Sequence, residues 1–259
     1  MNLHHVRRGS GEPLLLVHGL GGSWRSWGSV FDGLAAHREV IAVDLPGFGE
    51  SPLPPGELSI ATLTEAVAGF VAEQDLDGVD LVGQSMGGRI VLELARRGIG
   101  GDVVALDPGG FWPDREVAVF RTSLGASIGL LRRLRPMLPA LVGNPVTRSA
   151  LLAQLSPRPW ALKPADVLPD LYGLADAPGT DPAFTALVRG PRQEGAAAGT
   201  VRGRVTLGWG RRDRVTFPGQ ARRAAALFPD AHLHWFDRCG HFPQWDAPKD
   251  TLDLVLART

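Results

Sequence analysis

A single cysteine, Cys239, stands in the 259 residues, so no disulfide can form within the chain. Charge of one sign is not in excess either. Lys+Arg and Asp+Glu number 27 each, which removes the electrostatic footprint of a nucleic-acid binder. No run approaches the ~18 consecutive apolar residues of a membrane-spanning helix. Residues 1–8 lack the apolar core of a secretory signal and lead directly into a strand-like segment. Metal-ligand spacing is missing as well: His4 and His5 are adjacent, and adjacent strand residues face opposite ways. These absences predict a cytoplasmic protein that acts on a small molecule, without nucleic acid, membrane, metal or cofactor.

What remains is a chain with 44% hydrophobic residues, long enough for one large α/β domain with an insertion. From residue 14 to about 107, strand-like runs alternate with helical patterns, as in a parallel sheet with crossover helices. Ile60, Leu63, Val67, Phe70 and Val71 repeat at helical spacing, and Val103-Val104-Ala105-Leu106-Asp107 reads as a strand. From 111 to 203 the alternation stops, and Leu-, Ala- and Arg-rich helical stretches are cut by prolines. Val205-Thr206-Leu207-Gly208-Trp209 then resumes the sheet. The run from Gly190 to Gly199, with little to bury, is the expected flexible stretch.

The most informative segment is Leu81-Val82-Gly83-Gln84-Ser85-Met86-Gly87-Gly88. It runs from an apolar strand through Gly-x-Ser-x-Gly into a helix marked by Ile90, Val91 and Leu94. A serine at such a sharp turn projects its hydroxyl from the sheet, and the flanking glycines remove colliding side chains. Three further segments follow the same order on matching elements. His18-Gly19-Leu20-Gly21-Gly22 comes after Leu14-Leu15-Leu16-Val17, and Asp44-Leu45-Pro46-Gly47-Phe48-Gly49-Glu50-Ser51 after Val40-Ile41-Ala42-Val43. Gly240-His241 comes after His232-Leu233-His234-Trp235-Phe236. On these motifs the chain resembles the α/β-hydrolase family over nearly its whole length.

The resemblance implies an α/β fold: a mostly parallel, eight-stranded-type sheet flanked by helices, with a helical cap inserted after the sixth strand. Residues 1–110 and 204–259 would form the core and 111–203 the cap. It implies Ser85 as nucleophile. A serine hydroxyl is weak at neutral pH and needs a base and a group to orient that base. The resemblance gives these roles to His241 and Asp213, with Asp107 as the runner-up acid. The backbone N–H groups of Met86 and of Leu20, or a close neighbour in its Gly-rich loop, would form the oxyanion hole. His18 and Asp44 are expected to hold loops in place, and Cys239 to pack.

The cap region carries scattered aromatics, so an apolar cleft is expected, with Trp24, Trp112, Trp160 and Phe242 touching substrate. Arg132, Arg133 and Arg135 are expected on a solvated face. The first functional expectation is a serine hydrolase of small to medium apolar carboxylic esters. The alternative is a carbon–carbon bond hydrolase of aromatic ring-cleavage products. Ser85-Met86-Gly87-Gly88, Pro108-Gly109-Gly110 and Cys239-Gly240-His241 with Gln244-Trp245 resemble that subfamily. Gln84 where it usually has Asn, Phe242 where it usually has Trp, and a first loop without Pro-Gly depart from it. A serine at the nucleophile position disfavours the relatives that use Asp there. A ligand-binding protein with no turnover is the expectation from another class.

Overall fold

The computed structural model describes residues 3–258. Seven strands form one sheet: β1 (His5–Arg8), β2 (Pro13–Val17), β3 (Glu39–Val43), β4 (Asp80–Gln84), β5 (Val103–Leu106), β6 (Val205–Gly210) and β7 (His232–Phe236). Their spatial order is β1-β3-β2-β4-β5-β6-β7, with β1 antiparallel to β3 and every other pairing parallel. Sequence reasoning overcounts here. A tight turn at Gly9 and Gly11, both at positive φ, delivers β1 directly to β2. One antiparallel edge strand therefore precedes the parallel set, and the helical insertion follows the fifth strand, not the sixth.

The central strands are apolar on both faces because helices cover both. On one side α1 (Gly28–Ala35) and α11 (Pro248–Arg258) enclose Leu14, Leu16, Val82, Val104 and Leu106. On the other, α2 (Ile60–Glu73), α3 (Met86–Arg96) and α9 (Gly219–Leu227) cover Leu15, Val17, Leu81, Ala105 and Leu207. Helix α2 starts where Ser59 and Thr62 cap each other's backbone N–H groups. Between β5 and β6 lie α4 (Asp114–Leu134), α5 (Leu138–Gly143), α6 (Pro145–Leu151), α7 (Pro164–Asp176) and α8 (Thr180–Arg189); α10 (Pro243–Asp246) follows β7.

The inserted helices run from Asp114 to Arg189. Phe111 packs edge-on against Trp209 and Phe228 in the main core. Residues 190–199 do not form the expected flexible stretch, because their backbone is tied to three elements. Gln193 N–H donates to Gly110 O (3.0 Å), Ala196 N–H to Leu227 O (3.0 Å), and the buried Arg89 Nη2 to Pro191 O (2.6 Å). Among the described residues no helix is long and apolar enough to cross a membrane.

Candidate active site

In a parallel sheet the loops after the strand C-termini gather on one edge, where crossover connections leave room for side chains. Ser85 follows β4, Asp107 β5, Asp213 β6 and His241 β7, so four distant segments converge. Ser85 sits at φ 55°, ψ −111°, the strained turn that lifts a side chain off the sheet edge. The glycines beside it are required by close approach. A Cβ on Gly83 would lie 2.3 Å from Gly87 O, and one on Gly87 would lie 2.0 Å from Val17 O.

His241 Nε2 stands 2.9 Å from Ser85 Oγ, and His241 Nδ1 stands 2.9 Å from Asp213 Oδ2. Asp213 Oδ1 accepts from Val215 N–H (2.7 Å) and Thr216 N–H (3.1 Å), and Oδ2 also accepts the Thr216 hydroxyl (2.6 Å). Burial alone would push this carboxyl's pKa up. The charge and hydrogen bond of His241, with the donors from Asp107 and Thr216, outweigh it and hold the pKa below the usual value. An ionised Asp213 accepts a hydrogen bond from Nδ1–H, leaving Nε2 free to take the proton of Ser85.

Asp107 stands beside this relay without joining it. Its Oδ1 accepts Gly210 N–H (2.9 Å), while Oδ2 is buried without a hydrogen-bond partner outside the carboxyl pair. Burial, then the neighbouring negative charge of Asp213, raises its pKa well above the ordinary carboxylate range. With the Asp213 pKa held down and that of Asp107 pushed up, the pair favours its negative charge on Asp213. Asp107, Asp213 and His241 bring donor atoms within 4.8 Å of one another, the one such trio among the described residues. Asp213 already accepts from His241, Val215 and Thr216 there, as an orienting acid does.

The loop after β2 passes over the serine: a Cβ on Gly19 would lie 3.1 Å from Ser85 Cβ. His18 fixes that loop. Its Nε2 accepts Leu45 N–H (2.9 Å), so Nδ1 carries the proton and donates to Gly19 O (2.7 Å). Burial lowers its pKa, consistent with a neutral ring. Asp44 ties the neighbouring turn, accepting from Trp24 N–H (2.7 Å) and Glu50 N–H (2.9 Å). Leu20 lines the pocket beside Ser85. Met86 opens α3, so its N–H is one of the helix's leading donors, where the helix dipole favours negative charge.

The pocket over Ser85 is a cavity of about 30 Å³. Leu20, Val215 and Phe242 line it from the sheet side; Phe120, Leu124, Leu155, Leu174 and Leu187 line it from the inserted segment. Of the four aromatic residues expected on substrate, only Phe242 is there, stacked on Trp245 at 3.8 Å. Trp24 sits on a 3-10 turn and packs toward Phe31 with Arg25 over its ring. Trp112 lies behind the lining, stacked on Phe120 at 4.9 Å. Trp160 is 57% exposed on the outside of the inserted helices. Aromatic content marked the right region but not which rings turn inward.

Of the cations expected on a solvated face, Arg132 pairs with Asp181 (2.8 Å) and Arg135 with Asp176 (2.7 Å). Cys239 is buried, and burial, then the negative charge of Asp246, pushes its thiol pKa far up; it packs.

Three residues that sequence reasoning passed over hold the histidine loop. Gln84 Nε2 donates to His241 O (2.8 Å), His241 N–H to Leu155 O (2.8 Å), and Gly240 N–H to Asp246 Oδ2 (2.7 Å). Gln84 was legible only as a departure from Asn. Its position at the end of β4, beside the serine, was the available signal.

The sequence profile of the "Alpha/beta hydrolase family" matches residues 14–254. The chain is similar to a 2-hydroxy-6-oxo-2,4-heptadienoate hydrolase of Pseudomonas putida, 31% identical over 98% of this chain and 90% of that one. In structure it is similar to a thermophilic esterase from Thermogutta terrifontis, with TM-score 0.78, 21% identity, and 98% and 92% of the two chains covered. It is also similar to a meta-cleavage product hydrolase from Pseudomonas fluorescens IP01, with TM-score 0.72, 22% identity, and 98% and 93% covered. At these identities the two structures speak for the fold.

Proposed function

The chain belongs to the α/β-hydrolase family, and we propose that it is a serine hydrolase cleaving carboxylic esters of uncharged, apolar acyl compounds through an acyl-enzyme. One observation carries this reading: the hydrogen-bonded series Asp213–His241–Ser85, 2.9 Å at each link, opens onto an apolar pocket. In the reaction Ser85 Oγ bonds to the ester carbonyl carbon while its proton passes to His241 Nε2. The N–H groups of Leu20 and Met86 receive the negative oxygen. His241 then protonates the departing alkoxide. A water gives a proton to the same nitrogen as it attacks the acyl carbon; the carbon–Oγ bond then breaks, His241 returns the proton to Ser85 Oγ, and the carboxylic acid leaves. Asp213 stays ionised, and α4–α8 act as the cap that excludes bulk water.

The second reading is hydrolysis of a carbon–carbon bond in a ring-cleavage dienoate. The comparisons back it better than they back ester cleavage, since the heptadienoate hydrolase is 31% identical across nearly the full chain. The pocket lining favours the ester. It is apolar beyond Ser85, Gln84 and His241, and among the described residues no Lys or Arg lines it. Burying a dienoate carboxylate there without a partner costs several kcal/mol. Gln84, where that subfamily usually has Asn, spends its amide donor on His241 O.

Turnover of p-nitrophenyl esters beside a 2-hydroxy-6-oxo-dienoate, with Ser85→Ala as control, separates the two. Ester hydrolysis lost in Ser85→Ala with the dienoate untouched supports the first. Rapid dienoate loss with feeble ester turnover reverses the order.

A further inference from the structure

A second small cavity lies outside the pocket that holds Ser85, and the two have a wall in common. Each measures about 30 Å³, room for only a couple of waters. Leu124 of α4, Leu155 of the turn after α6 and Leu174 of α7 line both. These three side chains are buried and come from three separate elements, so the barrier is a single layer of leucine. The outer cavity continues along Leu131, Leu151 and Leu171 to Leu130, which is 48% exposed. Its polar rim is a hydrogen-bonded set: Ser127 Oγ donates to Gln154 Oε1 (3.1 Å), and Gln154 Nε2 donates to Ser123 Oγ (2.9 Å).

Two leucines of the wall stand on backbone that touches the reacting groups. Leu155 O accepts His241 N–H at 2.8 Å. Beside Leu174, a Cβ on Gly173 would lie 1.8 Å from Gly21 O, so α7 rests on the loop after β2. Leu124 has no such tie. It stands mid-helix in α4, away from the loops that carry His241 and Gly21, so turning its side chain requires neither loop to move.

We propose that the outer cavity is a subsite for the far end of a linear acyl chain, reached from Ser85 through the Leu124–Leu155–Leu174 wall. This rests on the reading of Ser85 as nucleophile. Turning Leu124 aside joins the two spaces into one apolar channel running between α4 and α7, open at Leu130. Short acyl groups use the inner pocket alone, while longer ones thread the wall and gain apolar contact, each methylene worth ~0.8 kcal/mol when fully buried. The class of substrate implied is a compound with an unbranched apolar chain of medium length, its far end near Ser127 and Gln154.

The test is the rate at which alkyl fluorophosphonates label Ser85, with chains from ethyl to dodecyl. In that step Ser85 Oγ bonds to phosphorus, its proton leaves through His241, and fluoride departs. The proteins compared are the wild type, Leu124→Ala, which thins the wall, and Ser127→Trp, which fills the outer cavity. Ethyl labelling is expected to match between the wild type and Ser127→Trp, whose change lies outside the inner pocket, while Leu124→Ala is read only through its own dodecyl-to-ethyl ratio. The dodecyl-to-ethyl rate ratio is expected to rise about tenfold in Leu124→Ala and to fall about tenfold in Ser127→Trp, a tenfold change being ~1.4 kcal/mol. Normal ethyl labelling with the same ratio in all three overturns the subsite and leaves the function standing. Absence of ethyl labelling in folded wild type overturns the nucleophile reading itself, and this proposal with it.

Discussion

Asp170 of α7 is buried against the turn at residues 24–27 and couples the stability of that contact to pH. The side chain is 2% exposed; one oxygen accepts the Ser26 hydroxyl and the other has no partner. Burial raises its pKa from 3.8 to about 7, partly offset by Ser26. Between those values the folded protein holds a proton that the unfolded chain has released. Stability from this group is therefore greatest at low pH, falls as pH rises toward 7, and levels off above it. Linkage with these two pKa values gives a loss of ~2.5 kcal/mol between pH 5 and pH 8. Asp170→Asn removes the titration while keeping a carbonyl acceptor for Ser26. Urea unfolding of both proteins at pH 5 and pH 8 is the assay, with the other buried acids common to both. The wild type is expected to lose ~2.5 kcal/mol more than the variant across that interval. Parallel pH dependence in the two proteins, or a wild type that gains on the variant at pH 8, refutes the reasoning.

Other perturbations separate neighbouring roles. Asp213→Asn is expected to lower kcat by on the order of 10⁴ through loss of the His241 tautomer and its counter-charge. Asp107→Asn is expected to stay within about threefold, since a neutral donor replaces a neutral donor; equal losses in steady-state kinetics would show the acid misassigned. Gly87→Ala is expected to cost at least about 3 kcal/mol or abolish folding, because its Cβ would meet Val17 O at 2.0 Å; thermal unfolding reads this out. Phe242→Ala is expected to raise KM for apolar esters about tenfold by removing a face of the pocket, while Trp160→Ser leaves kinetics unchanged. Cys239 is expected to resist iodoacetamide in native protein and react once urea unfolds it, as mass spectrometry would show.

Much of this site was legible in the sequence because its key residues sit at positions the backbone dictates. Gly83 and Gly87 are where a bend around Ser85 leaves no room for Cβ. His241 and Asp213 follow strands whose apolar runs could be read directly. Residues acting through side-chain direction were not legible. Trp24, Trp112 and Trp160 have the composition of a cleft, yet ring orientation depends on helix packing that local pattern does not encode. Leu155 was invisible for a related reason: its contribution is a carbonyl held against His241 across a long sequence separation. The strand count of eight came with the family resemblance and not from local pattern, and the described residues form seven.

The central claim, that Ser85 becomes acylated during turnover, is tested most directly by mass spectrometry of protein acid-quenched within the first turnovers on p-nitrophenyl butyrate. The account predicts a butyryl adduct on the peptide carrying Ser85, decaying as substrate runs out and absent from Ser85→Ala. Turnover that persists in Ser85→Ala, or an adduct on another residue, would contradict it.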